Sequence, residues 1–213
     1  MRVQQNSLSA FGESTLSPGI ASRLGLEVVL DFYTWAALMG RAYQVRAGTI
    51  TTPLVGDVVV TDTAAEMCAD AATGTPIIPV NLNIGLRLLT GTLHEYAAKS
   101  VATVSSAGTA FVPLPLRSNG AAAVATARVQ AAGAVTVTAE LATTTLRHWN
   151  FSNPAAGATG ALPTAGYDLQ WNPRMPPVLV GPRCFYVQIA ATGTGPSYYA
   201  NFDFLEFETA VLL

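Results

Sequence analysis

Side chains that could do acid–base or nucleophilic chemistry are few in this sequence. Its two histidines are His94, in the segment TGTLHEYAAK, and His148, in the segment TLRHWNFS. A serine nucleophile on a strained turn would be marked by G-x-S-x-G, and that pattern does not occur. We therefore interpret both histidines as structural polar groups at strand ends, and we predict no catalytic residues and no enzymatic activity.

Patterns that would hold a metal or a cofactor are missing as well. Cys68 and Cys184 stand alone, without a C-x-x-C pair and without histidines at zinc spacing. We interpret both as small buried residues, with a disulfide between them as an open alternative. The acidic group Asp203, Glu206 and Glu208 fits a solvated or interface-facing strand edge better than a calcium site, because no EF-hand pattern surrounds it. A P-loop is also absent, so we predict no metal and no cofactor.

Aromatic side chains are concentrated in the last third of the chain, from Trp149 to Phe207. Exposed rings could stack on sugars, whereas the partial alternation in YYANFDFLEF indicates a sandwich core with anchors between subunits. We favour the core interpretation and keep a carbohydrate-binding surface as the alternative. The candidate assembly contacts are Trp149, Phe151, Tyr167 and Trp171.

The elements that must position these residues are β-strands, because alternation with period 2 dominates the sequence. In PVNLNIGLRLL, at 79–89, apolar residues at 80, 82, 84, 86 and 88 alternate with polar or small ones. One segment, Leu30 to Arg41, fits a short helix and a bulky strand equally well, with Asp31 and Gly40 as the helix ends. The pattern predicts an all-β fold: an antiparallel β-sandwich or jelly-roll barrel of about eight strands with at most one short helix.

The length of 213 residues suits one large domain. We place a single β-sandwich or jelly-roll domain at residues 21–213, behind an N-terminal arm at residues 1–20. The segment Ser152–Pro177 holds five prolines. We predict that it forms one long ordered loop that makes contacts, since long loops in compact domains are usually functional.

The composition restricts the partners of this domain. Half of the residues are hydrophobic and only 11% are charged, whereas a typical soluble domain has about 25% charged residues. Lys99 is the only lysine, the ten arginines are scattered, and the net charge is −2. Because phosphate binding needs clustered cations, we predict no direct sequence-specific binding to nucleic acid. A weakly charged, apolar chain is expected to bury surface against other subunits.

Segments along the whole chain combine alternating strands with turns of small residues. IIPVNLNIGLRL follows a TGTP turn, AGTAFVPLPLRS comes next, and YVQIAATGTGPSYYANFDFLEFE precedes a short apolar tail. With its polar N-terminal arm, the chain resembles virion structural proteins of bacterial viruses, particularly single β-barrel capsid subunits. The resemblance implies a jelly roll without enzymatic activity. It further implies assembly with copies of itself and with other capsid proteins, and a location in the virion after synthesis in the host cytoplasm.

The N-terminal arm departs from the basic arms of coat proteins that hold RNA. Arg2 and Arg23 are the only positive side chains in or next to it. A shell around condensed DNA, or one in contact with an internal membrane, therefore suits this chain better than direct packaging of a genome. The alternative function is a receptor- or carbohydrate-binding β-sandwich module, such as a decoration or spike-type protein.

Overall fold

The computed structural model describes residues 19–21, 27–29, 31–61, 63–130, 134–138, 143–152 and 168–208. Among these residues are one helix and seventeen strands. The predicted arm lies outside the described residues except for its last two positions, which begin the first strand. None of the helices in the described part of the chain has the length and hydropathy needed to cross a membrane.

The helix α1 (Phe32–Leu38) settles the ambiguous segment in favour of the helical alternative. Asp31 is its N-cap, and the Asp31 carboxylate accepts the backbone N–H groups of Tyr33 and Thr34, each at 3.0 Å. Gly40 follows the helix with φ of +71°, a left-handed conformation that glycine adopts without strain. The buried ring of Trp35 fixes the helix to the domain by stacking on Phe207, with the ring centroids 6.4 Å apart.

The strands vary from two to twelve residues in length. They are β1 (Gly19–Ala21), β2 (Glu27–Val29), β3 (Ala42–Ala47), β4 (Leu54–Val55), β5 (Ala64–Ala65), β6 (Met67–Ala71), β7 (Ile77–Leu88), β8 (Leu93–Val101), β9 (Ser106–Ala107), β10 (Thr109–Phe111), β11 (Leu114–Pro115), β12 (Thr126–Val129), β13 (Val135–Thr136), β14 (Thr143–Ser152), β15 (Asp168–Trp171), β16 (Arg183–Ala191) and β17 (Ser197–Glu206).

Two large antiparallel sheets carry the fold. The first has the order β10-β12-β6-β16-β8-β14, and the second has the order β11-β3-β17-β7-β15, with β4 also paired to β17. Eight of these strands form the frame of a sandwich: β3-β17-β7-β15 in one sheet and β6-β16-β8-β14 in the other. Successive frame strands along the chain alternate between the two sheets. The exception is β14, which follows β8 and lies beside it in the same sheet. This order is that of a jelly roll, so the predicted fold class is confirmed.

The main core lies between the two sheets. Its large, fully buried members include the aliphatic and aromatic side chains Leu82, Ile84, Tyr96, Phe185, Phe202 and Phe204. The alternation predicted for β7 holds in the middle of the strand, where residues 82, 84 and 86 are buried. It ends at Leu88, which is exposed. Burying each of these aliphatic side chains stabilises the fold by about 1.5–3 kcal/mol.

A third, smaller sheet covers part of the outer face of the first large sheet. Its order is β5-β13-β9. Ala65, Val135 and Val137 from this layer pack on Cys68 and Cys184 and close a second core, which also contains Val101 and Tyr186. The cysteines therefore lie between two layers of sheet and not in the main core.

The proline-rich segment differs from the prediction at both of its ends. Ser152 is the last residue of β14, and Asp168–Trp171 forms β15, which pairs with β7 from Asp168 opposite Gly85 to Trp171 opposite Leu82. Four residues assigned to the long loop therefore belong to a frame strand. Alternation in such a short strand is too brief to separate from a loop by sequence, whereas pairing with β7 defines it. Residues 153–167 lie outside the described residues.

Candidate functional site

Three of the predicted assembly residues, Trp149, Phe151 and Trp171, lie on the outermost strands of the sandwich. At one side β3 packs against β6, so β14 and β15 end the two sheets at the opposite side. No strand among the described residues pairs with the outer edge of β14 or β15. The exposed edge of β14 carries Arg147 and His148 and a register shift after Thr145, features that discourage uncontrolled strand pairing.

Phe151 packs into the rim of the core. Its ring is half-buried and stacks on His94, with centroids 4.8 Å apart, and on Tyr96 at 5.6 Å. The Nδ1 atom of His94 is 2.8 Å from the hydroxyl of Tyr96. Burial lowers the pKa of His94, so its imidazole is neutral at physiological pH. His94 is thus a packed structural side chain, as the sequence indicated.

Trp149 lies two residues before Phe151 on the same face of β14, opposite Tyr96. Its half-buried ring packs against the main core. The guanidinium carbon of Arg147 is 5.5 Å from the ring centroid, a cation–π distance. Trp149 and Phe151 therefore stay partly accessible at one edge of the sandwich and remain predicted assembly contacts.

Trp171 has a different environment from the one predicted for it. Its side chain is only 9% exposed and stacks on Phe185, with the ring centroids 5.7 Å apart. Trp171 is the last residue of a paired frame strand, and its buried ring belongs to the main core. The ring therefore packs within its own subunit and does not extend from a contact arm. Tyr167, the fourth predicted contact, lies outside the described residues.

Two groups of exposed apolar side chains were not foreseen. The first, named here the helix-side patch, consists of Phe32, Leu38, Met39, Leu114 and Leu116. Its parts are joined by hydrogen bonds: Arg117 donates to the carbonyl of Leu38 at 3.0 Å, and the N–H of Leu116 donates to the carbonyl of Ala42 at 2.9 Å.

The second group, named here the loop-side patch, consists of Ile50, Val55, Val58, Val59 and Leu88. Val55 and Leu88 flank Ser197 from two neighbouring strands, and the side chain of Arg87 donates to the carbonyl of Ile50. The two patches adjoin opposite ends of β3, which spans about 20 Å at 3.3 Å per residue. Scattered exposed apolar residues are common, but two such groups are typical of contact surfaces.

A buried thiol–carboxylate cluster lies under the small third sheet. Cys68 and Asp70 come from β6 and Cys184 from the adjacent β16, and one possible ligand atom of each lies within 4.8 Å of the others. All three side chains are buried. Both cysteines are free thiols. Cys184 is opposite Asp70 in the strand register, so the Cα atoms of the two cysteines are diagonal neighbours, about 7–8 Å apart, which is too far for an unstrained disulfide even though the sulfur atoms are closer.

Ser105 links two members of this cluster. Its N–H donates to Oδ1 of Asp70 at 2.8 Å and its hydroxyl donates to Oδ2 at 2.7 Å. The Sγ of Cys68 is 3.0 Å from the same hydroxyl oxygen. Because that hydroxyl has one hydrogen, Cys68 must donate its thiol hydrogen to Ser105. Burial, with Cys68 and Asp70 adding to it, raises the pKa of Cys184 well above its usual range.

A further buried acid, Glu66, directly precedes the first residue of β6 and lies near the half-buried Asp57. Glu66 accepts the N–H of Ile189 at 2.8 Å, while the N–H of Asp57 donates to the carbonyl of Ile189 at 2.9 Å. Burial and the charge of Asp57 raise the pKa of Glu66 well above 4.5. Burial also raises the pKa of Tyr198, and the charges of Glu66 and Asp57 add to the effect. Glu66 therefore accepts a backbone N–H of β16 just beyond the point where the pairing of β16 with β6 ends.

The three acids near the C-terminus, Asp203, Glu206 and Glu208, each have different partners. Asp203 accepts from the side chain of Gln44 at 2.8 Å and from an asparagine of β7 at 2.9 Å. Glu206 is buried and accepts two consecutive backbone N–H groups before β12, at 2.9 and 2.7 Å. The predicted solvated or interface-facing edge is therefore wrong for Glu206. Glu208 is exposed and lies 3.6 Å from Arg41.

No protein-family model matches the chain, and no curated protein or solved structure matches it significantly. Function has to be inferred from the fold and these surfaces. The edge aromatics were identifiable from residue type, but the cluster of Cys68, Asp70 and Cys184 was not. Its members become neighbours only because β6 and β16 pair across a long sequence separation.

Proposed function

We propose that this chain is a non-enzymatic structural subunit of a virus shell, which assembles with copies of itself and with other capsid proteins. The observation that carries this proposal is the pair of exposed apolar patches on a jelly-roll sandwich. Jelly rolls include viral capsid domains, lectin domains and cupins. Since the fold is shared by several functions, the surfaces must discriminate between them.

The placement of the patches supports contacts with more than one neighbour. The helix-side patch adjoins the first residue of β3, and the loop-side patch lies beyond its last residue. A subunit of a closed shell touches neighbours on several sides, so it needs more than one apolar surface. The two ends of the sandwich can each serve a different neighbour, with Trp149 and Phe151 at the β14 edge as a third contact.

The charge distribution suits close packing of many copies. Eleven basic residues balance thirteen acidic ones, which leaves a net charge of −2. Weak net charge limits the repulsion between adjacent subunits. The same balance provides no clustered cations for a direct contact with nucleic acid.

Aromatic burial favours assembly over the carbohydrate-binding alternative. Sugar binding by stacking needs exposed rings, yet the aromatics of β16 and β17 lie mostly in the cores. Among the described residues, the aromatic side chains that are clearly exposed are Phe32 and Tyr33 of α1. Phe32 stacks on Trp35 and Phe207, which leaves it more suited to a protein contact than to a sugar.

Assembly can be tested with one charge in each patch. The full chain should form large oligomers or particles as its concentration rises, measured by mass photometry and electron microscopy. Leu114→Asp in the helix-side patch and Leu88→Asp in the loop-side patch should keep the β spectrum but lose assembly. The control Asn172→Asp adds the same charge at an exposed position outside both patches and should assemble normally.

Two results would contradict the proposal. A chain that stays monomeric at every concentration has no shell-forming activity of its own. Patch variants that assemble as well as Asn172→Asp would show that these surfaces are not the contacts. Specific retention on a glycan array, lost in a Tyr33→Ala variant, would instead favour the carbohydrate-binding module.

A further inference from the structure

The buried cluster on β6 and β16 has the composition of a metal site. We propose that Cys68, Cys184 and Asp70 bind a thiophilic divalent cation, with Zn²⁺ as the expected ion. The proposal concerns one subunit and does not depend on whether that subunit builds a shell. Two thiolates and one carboxylate form a ligand set that favours zinc over magnesium or calcium, which prefer oxygen ligands.

The geometry is close to what zinc requires. Zinc–sulfur bonds of about 2.3 Å and zinc–oxygen bonds of about 2.0 Å place tetrahedral ligand atoms roughly 3.5–3.8 Å apart. The candidate ligand atoms of Cys68, Asp70 and Cys184 already lie within 4.8 Å of one another. Small side-chain rotations would bring them to a common centre without moving the strands.

Ser105 offers a fourth ligand atom, its hydroxyl oxygen, and its backbone N–H also holds Asp70. Its hydroxyl oxygen is 3.0 Å from Sγ of Cys68 and 2.7 Å from Oδ2 of Asp70, so it lies within the same cluster. Its backbone N–H holds Oδ1 of Asp70 at 2.8 Å, so binding of the ion through Oδ2 would exchange the hydrogen bond from the Ser105 hydroxyl for a bond to the ion. Hydrogen bonds of this kind orient carboxylate ligands in metal sites.

Charge balance allows the site to be occupied in a buried environment. The Nε of the Arg128 guanidinium is 3.8 Å from Oδ2 of Asp70. Zinc is bound by cysteine in its thiolate form, so binding releases the thiol protons. Two thiolates and one carboxylate carry three negative charges, which the divalent cation and Arg128 together balance. Neutrality matters because an uncompensated buried charge is strongly unfavourable.

The site is held by rigid neighbours. Cys68, Asp70 and Cys184 lie on paired strands of a six-stranded sheet, and Val135 and Val137 of the covering layer pack over the cysteines. Ligands on paired strands are positioned more exactly than ligands on loops. The competing interpretation is a hydrogen-bond chain from Cys68 through Ser105 to Asp70 that needs no ion.

Cobalt binding distinguishes the two interpretations. The full chain is reduced, freed of metal with a chelator and titrated with Co²⁺, whose visible absorption reports tetrahedral thiolate coordination. We expect one Co²⁺ per chain, displaced by one equivalent of Zn²⁺. At 100-fold Zn²⁺ excess over its dissociation constant, the melting temperature should rise by about 5–10 °C.

Three variants assign the ligands. Cys184→Ser should weaken Co²⁺ binding by at least about 100-fold while the protein still folds, because serine matches the size of cysteine. Asp70→Asn should also weaken binding, but it disturbs the contacts with Ser105 and Arg128, so Cys184→Ser is the deciding variant. His148→Ala is the control, since His148 is an exposed imidazole outside the cluster, and it should bind Co²⁺ like the wild type.

Each remaining outcome would overturn the proposal. Absence of a tetrahedral thiolate spectrum at saturating Co²⁺ would show that the cluster is only a hydrogen-bond chain. Binding that survives Cys184→Ser would place the ion elsewhere. Binding lost in His148→Ala would identify an adventitious surface site.

Discussion

Replacing Trp171 with alanine tests most directly whether the end of the proline-rich segment belongs to the core or to a contact arm. The side chain stacks on Phe185 and ends the strand pairing with β7 opposite Leu82. If this placement is correct, the variant loses stability in the isolated subunit. If the residue instead anchors a neighbour, the variant loses association and keeps its stability.

The expected magnitude follows from the buried area. An aromatic side chain of this size buries about 200 Å² when enclosed, which at 25 cal/mol per Å² corresponds to roughly 5 kcal/mol. Trp171 is 9% exposed, so almost all of that area is removed from water. The unfolded chain already hides part of it, which lowers the figure. We therefore expect Trp171→Ala to reduce the free energy of unfolding by about 4 kcal/mol, within the usual range for such substitutions.

The assay is urea unfolding followed by far-ultraviolet circular dichroism, with Trp149→Ala as the matched control. Trp149 is half-buried at the β14 edge, so its removal should reduce the free energy of unfolding by only about 1–2 kcal/mol. A Trp171→Ala protein with an unchanged urea midpoint but weaker self-association would refute the core assignment and restore the contact arm.

Substitutions at three further positions test the core, a buried carboxylate and the pH dependence. Ile84→Asp puts a charge among the fully buried residues of β7, and we expect no folded, soluble subunit by sizing and circular dichroism. A normal β spectrum would contradict the burial of Ile84. Glu206→Ala leaves two backbone N–H groups without their acceptor, and urea unfolding should show a loss of about 2–4 kcal/mol. Glu206→Gln keeps one acceptor oxygen and should lose less; equal losses would argue against this role. The raised pKa of Glu66 means that the folded state holds its proton more tightly than the unfolded state, so stability should fall as pH rises above 4.5 through the raised pKa. Glu66→Gln should remove this decline, and matching pH profiles of the urea midpoint for both proteins would count against it.

The two proposals concern different parts of the molecule and can be combined. The proposed assembly contacts are on the ends and the β14 edge of the sandwich, whereas the cysteine cluster lies beneath the third sheet. A cation bound there would stabilise the covering layer without changing either apolar patch. A metal-dependent melting temperature with metal-independent assembly would be the expected combination.

Local features of the fold were readable from the sequence. Successive strand side chains point to opposite faces, so the alternation at 79–89 predicted a half-buried strand, and β7 contains all of this segment except Leu89. Glycine and proline between apolar runs predicted turns for the same local, steric reason. The helical alternative at Leu30 to Arg41 rested on Asp31 and Gly40, and the carboxylate of Asp31 does cap α1.

Only the tertiary structure decided what depends on which strands pair. The burial of Trp171 and the role of Glu206 follow from partners far away along the chain, namely β7 and the segment before β12. The meeting of Cys68, Asp70 and Cys184 follows from the pairing of β6 with β16. Spacing in sequence records contacts within a few residues, whereas a sheet joins strands across any separation. The sequence thus determined the all-β character and the turns of this protein, while long-range strand pairing determined its core boundary and its buried cluster.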